Sequence, residues 1–159
     1  MNEIERKLKK EIEHMKLLFD SDYLSYEIKY IIPCLQYRKD IVIILFVNSN
    51  VILGLYYKTI IFFNEYEQIR SPIKFCMKDN DLKIIDSSLP CTPVIPSNYK
   101  AISPYKLILR NGLYLCEDLN DYGNTCNSSL GEAIQDIGVD FEYFPDFQVH
   151  RLIIGQLNK

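Results

Sequence analysis

The run Ile41-Val42-Ile43-Ile44-Leu45-Phe46-Val47 constrains this chain more than any other segment. It is short, uninterrupted by any polar residue, and rich in β-branched side chains. Such side chains have a stiff χ1 and pack well on a pleated surface, so the run predicts a strand. Because apolar and polar residues do not alternate along it, the strand is expected to be buried on both faces. Asn48-Ser49-Asn50 is a cluster of turn formers, and the apolar pattern resumes from Val51 to Tyr57, so the pair predicts a hairpin. The run is far shorter than the roughly twenty residues that cross a bilayer, and no membrane insertion is expected.

Further strands are predicted at residues 60–63, 73–77, 82–85, 105–110, 113–116 and 147–154. Pro90, Pro93, Pro96 and Pro104 interrupt the sequence between them and predict an irregular crossing. Upstream, Ile4, Leu8, Ile12 and Met15 recur at helical spacing on one stripe, with a charged face opposite. Two heptads leave two readings open: an arm packed on the domain, or the end of a coiled coil with self-association through residues 4–15. Asp20 and Ser21 interrupt this pattern. A second short helix is expected around residues 26–35, disturbed by Pro33. Many short strands with helices at one end predict an α+β fold, mostly antiparallel, with two sheets packed as a β-sandwich and flanking helices. The division expected is an N-terminal helix over residues 1–16 and a sandwich domain over 17–159. No repeat of solenoid or propeller length is present.

The formal charge is −3, which argues against a general affinity for nucleic acid, since that requires clustered cations. Arg6, Lys7, Lys9 and Lys10 do group, but Glu3, Glu5, Glu11 and Glu13 are interspersed and make the segment a solvated helix face. The first residues alternate in charge and lack the apolar run of a secretory signal. Five cysteines (Cys34, Cys76, Cys91, Cys116, Cys126) form an odd set without a C-x-x-C pair, which fits a reducing cytoplasm better than a disulfide framework or a zinc site. Asn127-Ser128-Ser129 matches a glycosylation acceptor, which means little without secretion.

Chemistry has few starting points in this sequence. The histidines are His14 and His150. A nucleophilic pair of Cys116 or Cys126 with His150 is the one enzymatic arrangement to weigh, giving a thiol-dependent enzyme or redox sensor. No phosphate-cradling glycine loop and no H-E-x-x-H is present, and no catalytic, cofactor-binding or metal-ligating residue is assigned. The most distinctive local pattern runs from Gly112 to Cys126, where an apolar strand leads into Glu117, Asp118 and Asp121. These three carboxylates are the candidate partner-binding residues. They suit a basic partner, and equally the solvated end of a strand.

Gly112-Leu113-Tyr114-Leu115-Cys116-Glu117-Asp118-Leu119, followed by Cys126 and Leu130, resembles the C-terminal part of the TLDc domain. Phe147-Gln148-Val149-His150-Arg151-Leu152-Ile153-Ile154-Gly155 resembles that family's closing strand. Leu18-Phe19-Asp20-Ser21 resembles its opening, Ile41 to Tyr57 with Gly54 its paired strands, and Ser71 to Met77, loosely, the strand that follows. The likeness spans about residues 17–155. It departs from the family at Cys116, which replaces an acid, at Ile153, which replaces glutamate, and at Gly155, which replaces tryptophan. Ser103-Pro104-Tyr105 stands in place of a glycine-rich stretch. The resemblance implies a β-sandwich with flanking helices, a role in oxidative-stress protection and, as in some relatives, binding to the vacuolar proton pump. It implies no catalytic residue set. The expected function is therefore a non-catalytic protein-binding or regulatory module, with the thiol enzyme and a small coiled-coil adaptor as alternatives.

Overall fold

In the computed structural model, which describes residues 1–48, 51–62, 72–85, 93–94, 105–109, 113–116, 124–126 and 146–159, the 41–47 run is an interior strand. β2 (Ile41–Asn48) and β3 (Val51–Tyr57) pair antiparallel as the expected hairpin, from Ile41 opposite Tyr57 to Asn48 opposite Val51. They belong to a six-stranded antiparallel sheet. β1 (Lys16–Asp20) lies at one edge and β11 (Arg151–Gln156) between β1 and β2, while β4 (Ile73–Lys78) and β5 (Asp81–Ile85) follow β3 to the other edge. Asp79 and Asn80 join β4 to β5 with φ of 50° and 68°. Two successive left-handed residues make the tight hairpin turn whose twist suits the flanking strands, and Asp and Asn tolerate it best after glycine.

Both faces of this sheet are covered. On one face Ile41, Ile43 and Leu45 of β2 join Leu53 and Leu55 of β3, Leu152 and Ile154 of β11, and Ile31 and Leu35 of α2 (Ile28–Leu35). On the other, Val42 and Ile44 join Tyr56, Phe75, Leu82 and Leu157, with Leu8 and Ile12 of α1 (Glu3–Glu13) laid across them. Each of these large apolar side chains contributes roughly 1.5–3 kcal/mol when fully buried, so the continuous apolar run holds two layers at once.

The helix α1 starts at a capping box: Asn2 Oδ1 accepts from the Glu5 amide (2.9 Å), and the Glu5 carboxylate accepts from the Asn2 amide. The same Glu5 reaches the sheet edge, where its Oε2 accepts from the Ile84 amide at 3.3 Å, and Met1 Sδ takes the Leu82 amide. Leu82 and Ile84 are alternate residues of an edge strand, whose outward amides otherwise invite pairing with another chain. The start of α1 therefore blunts that edge.

A second group of strands runs antiparallel in the order β10, β9, β8, β7, β6: β6 (Pro93–Val94), β7 (Tyr105–Leu109), β8 (Leu113–Cys116), β9 (Asn124–Cys126) and β10 (Asp146–Phe147). Leu115 and Phe147 from this group are buried in the same apolar cluster as Ile43 and Leu53. The fold is α+β and mostly antiparallel.

Several sequence expectations need correction. Ile4 is 67% exposed, so the buried stripe of α1 is Leu8 and Ile12 with Met15 partly covered, and it is spent on the chain's own sheet. Lys16–Asp20 is a strand that periodicity does not reveal. Residues 60–62 are irregular, and the 147–154 segment is broken between Phe147 and Arg151. Pro33 sits inside α2, which continues to Leu35. Its ring costs one backbone bond of the helix, and burial of Ile31 and Leu35 outweighs that loss.

Candidate functional site

Glu117, Asp118 and Asp121 lie outside the described residues, in the connection between β8 and β9. Cys116 and Cys126 end those two strands, and the register separates them. Cys126 pairs with Leu113, three residues along β8 from Cys116. At about 3.4 Å per residue that is roughly 10 Å, beyond disulfide reach. The same register separates Cys126 from His150. Asn124 pairs with Phe147 and Thr125 with Asp146, so β9 carries Cys126 away from the 150 end of the antiparallel pair. His150 is exposed, and its amide donates to the Phe46 carbonyl of β2.

Of the two thiols whose surroundings are described, Cys76 is buried and Cys34 half-buried. Desolvation pushes Cys34 above its ordinary range and Cys76 up to about 11, against a weaker opposing pull from Arg38 and Lys78 respectively. The Cys34 thiol donates to the Leu18 and Tyr30 carbonyls, which ties α2 to β1. Since the thiolate is the reactive form, these two side chains are packing groups.

Two polar networks hold the sheet ends, and neither is visible as a motif. At the first, Asp20 closes β1. Its carboxylate is 4% exposed and takes both Nε (2.9 Å) and Nη2 of Arg151 at the start of β11. Asp22 adds a second carboxylate to Arg151 at 3.2 Å, and the guanidinium lies over the Phe46 ring. Ser21 completes the junction, its Oγ accepting from the Leu152 amide at 2.8 Å. The Arg151 hydrogen bond is the main reason the Asp20 carboxyl is held below its usual value. A planar fork on a carboxylate gives geometric specificity, and here it fixes where β1 meets β11.

At the second, the Tyr56 hydroxyl donates to Asp40 Oδ1 (2.9 Å) and accepts from Lys159 Nζ (3.1 Å), while Lys159 also reaches Glu11 at 3.5 Å. Burial raises the Tyr56 hydroxyl, so it remains a protonated donor rather than a base. Asn158 Nδ2 donates to the His14 carbonyl beyond the end of α1, and His14 Nδ1 lies 2.9 Å from the Lys10 carbonyl. A cleft of about 230 Å3 opens here, lined by Lys10, Glu11, His14 and Asn158. Glu11 and Asn158 are already bound to α1 or the chain end, so this arrangement fastens the helix and activates no nucleophile.

Lys74 is the residue that sequence reasoning missed most completely. On β4 it alternates with Ile73 and Phe75 and looks solvent-facing, yet it is buried beside Cys76 on the face that α2 also covers. Among the described residues no group of three or more His, Cys, Asp or Glu side chains is placed to hold a metal ion.

The chain matches no family model, no curated protein and no solved structure.

Proposed function

We propose that the chain is a non-catalytic, TLDc-like protein-binding and regulatory module of the cytoplasm, in which two sheets pack face to face and α1 and α2 flank them. The observation that carries this reading is where the TLDc-like segments lie. Residues 18–20, most of 41–57, and 151–155 from the closing segment are scattered in sequence, yet they fall in β1, β2, β3 and β11, four adjacent strands in the order β1, β11, β2, β3, while Phe147 of the closing segment lies in β10. Leu115, from the Gly112–Leu119 motif, is buried in the cluster that covers them. The departure at Gly155 has a physical counterpart as well. A Cβ at Gly155 would overlap the Met15 thioether, so Met15 fills space over the position where the family carries tryptophan. Met is flexible enough to fill such a gap.

On this reading Glu117, Asp118 and Asp121 meet a basic protein surface, with a role in oxidative-stress protection and the vacuolar proton pump as the first partner to test. The experiment is a pull-down from the native cell with wild-type and Glu117→Ala/Asp118→Ala/Asp121→Ala chains, read by mass spectrometry. A partner held by wild type and lost by the triple variant, at an unchanged melting temperature and more steeply at low salt, is expected, because exposed charges steer encounters and are screened. The thiol reading takes its place if Cys116→Ser abolishes a cellular activity that the acidic triple variant retains.

A further inference from the structure

We propose that the loops following α2 and β3 form a docking surface for an anionic lipid membrane. Two loops are clamped together there: the Tyr37 amide donates to the Ile61 carbonyl (2.8 Å), and the Ile61 amide donates to the Arg38 carbonyl (2.9 Å). The clamp holds Tyr37 in the left-handed region at φ 63°, which bulky residues rarely adopt, and presents its ring 68% exposed. Phe62 meets that ring edge to face at 5.8 Å and is itself 41% exposed, and Ile60 is 45% exposed. While Ile61 is fully buried and anchors the loop, the residues beside it point outward.

The charges around these rings give the occupant its chemistry. Lys39 and Lys58 are exposed and, among the described residues, carry no ion pair, while Arg38 donates to neutral groups, the Pro33 carbonyl and Gln156 Oε1. Asp40, next to Lys39, keeps its charge and accepts a hydrogen bond from the Tyr56 hydroxyl, which Lys159 also reaches. Among the described residues the surface thus offers the three cations Arg38, Lys39 and Lys58 against the carboxylate of Asp40, beside an aliphatic and two aromatic side chains on adjoining loops. That combination suits a headgroup layer: lysines are drawn to anionic lipid, tyrosine rests at the interface, and isoleucine and phenylalanine enter the acyl boundary. It needs no concave pocket. The molecule would lie on the membrane and not cross it, in keeping with the absence of any helix long and apolar enough to span among the described residues.

The test is flotation of the full chain with vesicles of phosphatidylcholine alone and with about 30% phosphatidylserine, at low and physiological salt. Binding is expected only with the anionic vesicles, and weaker at higher salt. Lys39→Glu/Lys58→Glu should reduce it at least about twentyfold, since each lysine near such a surface contributes about fivefold. Ile60→Ser and Tyr37→Asn, the latter chosen because Asn tolerates the left-handed backbone, should reduce it while the melting temperature stays put. Absence of binding to anionic vesicles overturns the proposal. So does equal binding by the lysine double variant, or a patch whose substitution changes only the retention of a protein.

Discussion

Arg151 holds two aspartates at once, but the two are not equivalent. Asp22 is about half exposed and Asp20 is buried, so the energetic weight lies on Asp20. Removing Asp22 should change stability by no more than about 1 kcal/mol, as for exposed pairs. Arg151→Ala leaves a buried carboxylate without its cation and should cost about 3 kcal/mol, the low end for breaking a buried pair, since Arg151 is itself a third exposed. Asp20→Asn removes the charge together with the need for it and should cost less. The sign of the pH dependence follows from the depressed Asp20 pKa. Its stabilisation is present above the unfolded value of about 3.9 and is lost as pH falls through the lower folded value. Urea melts of wild type and Asp20→Asn should therefore begin to draw together as pH falls below about 4, and a difference that does not narrow as the pH is lowered further would assign the effect to shape instead of charge.

At the scale of elements, α1 decides between an adaptor and a packed arm. Leu8 and Ile12 are buried against Val42, Ile44 and Leu82, while Glu5 caps the β5 edge. Helices of this length are marginal in water, so α1 owes its stability to this seat. Leu8→Ala and Ile12→Ala should each lower stability by about 2 kcal/mol, the lower end for large-to-small core changes because the helix lies at the periphery. Their sum should lower the melting temperature of the whole domain, with sedimentation showing no change of mass. An oligomer that dissociates at unchanged domain stability would return the stripe to a coiled coil. Gly54 belongs to this scale as well: a Cβ there would overlap the Phe75 ring, so the approach of β3 to β4 requires the missing side chain.

For the molecule as a whole, the cysteines test the compartment and the chemistry together. Rapid alkylation of the denatured chain without reductant should add five labels, one per cysteine, because neither the odd count nor the β8–β9 register supports a disulfide. On the native chain Cys76 should resist, since burial raises its thiol to about 11 and leaves little thiolate at neutral pH. Fast native labelling at Cys76 would mean that the face between β4 and its cover opens readily. Paired cysteines released only by reductant would count against the proposed cytoplasmic location.

Local pattern determined what depends on local physics. The β-branched run at 41–47 is a strand buried on both faces, residues 51–57 and 113–116 are strands within the bounds their composition predicts, and Asn48, expected in the turn, instead closes β2 opposite Val51. Helical spacing placed Leu8 and Ile12 on a buried face. Tertiary structure alone decided the rest. β1 exists because β11, more than a hundred residues away, pairs with it, and no period in Lys16–Asp20 records that partner. Lys74 looks solvent-facing because alternation assigns it a face but cannot say what covers that face. Asp20 and Arg151 carry no motif in the sequence, and the Asp20 carboxylate is buried against the guanidinium only when β1 and β11 meet. Long-range pairing carries no local sequence signal, since its free energy comes from contacts that the chain makes only after its distant segments have been brought together.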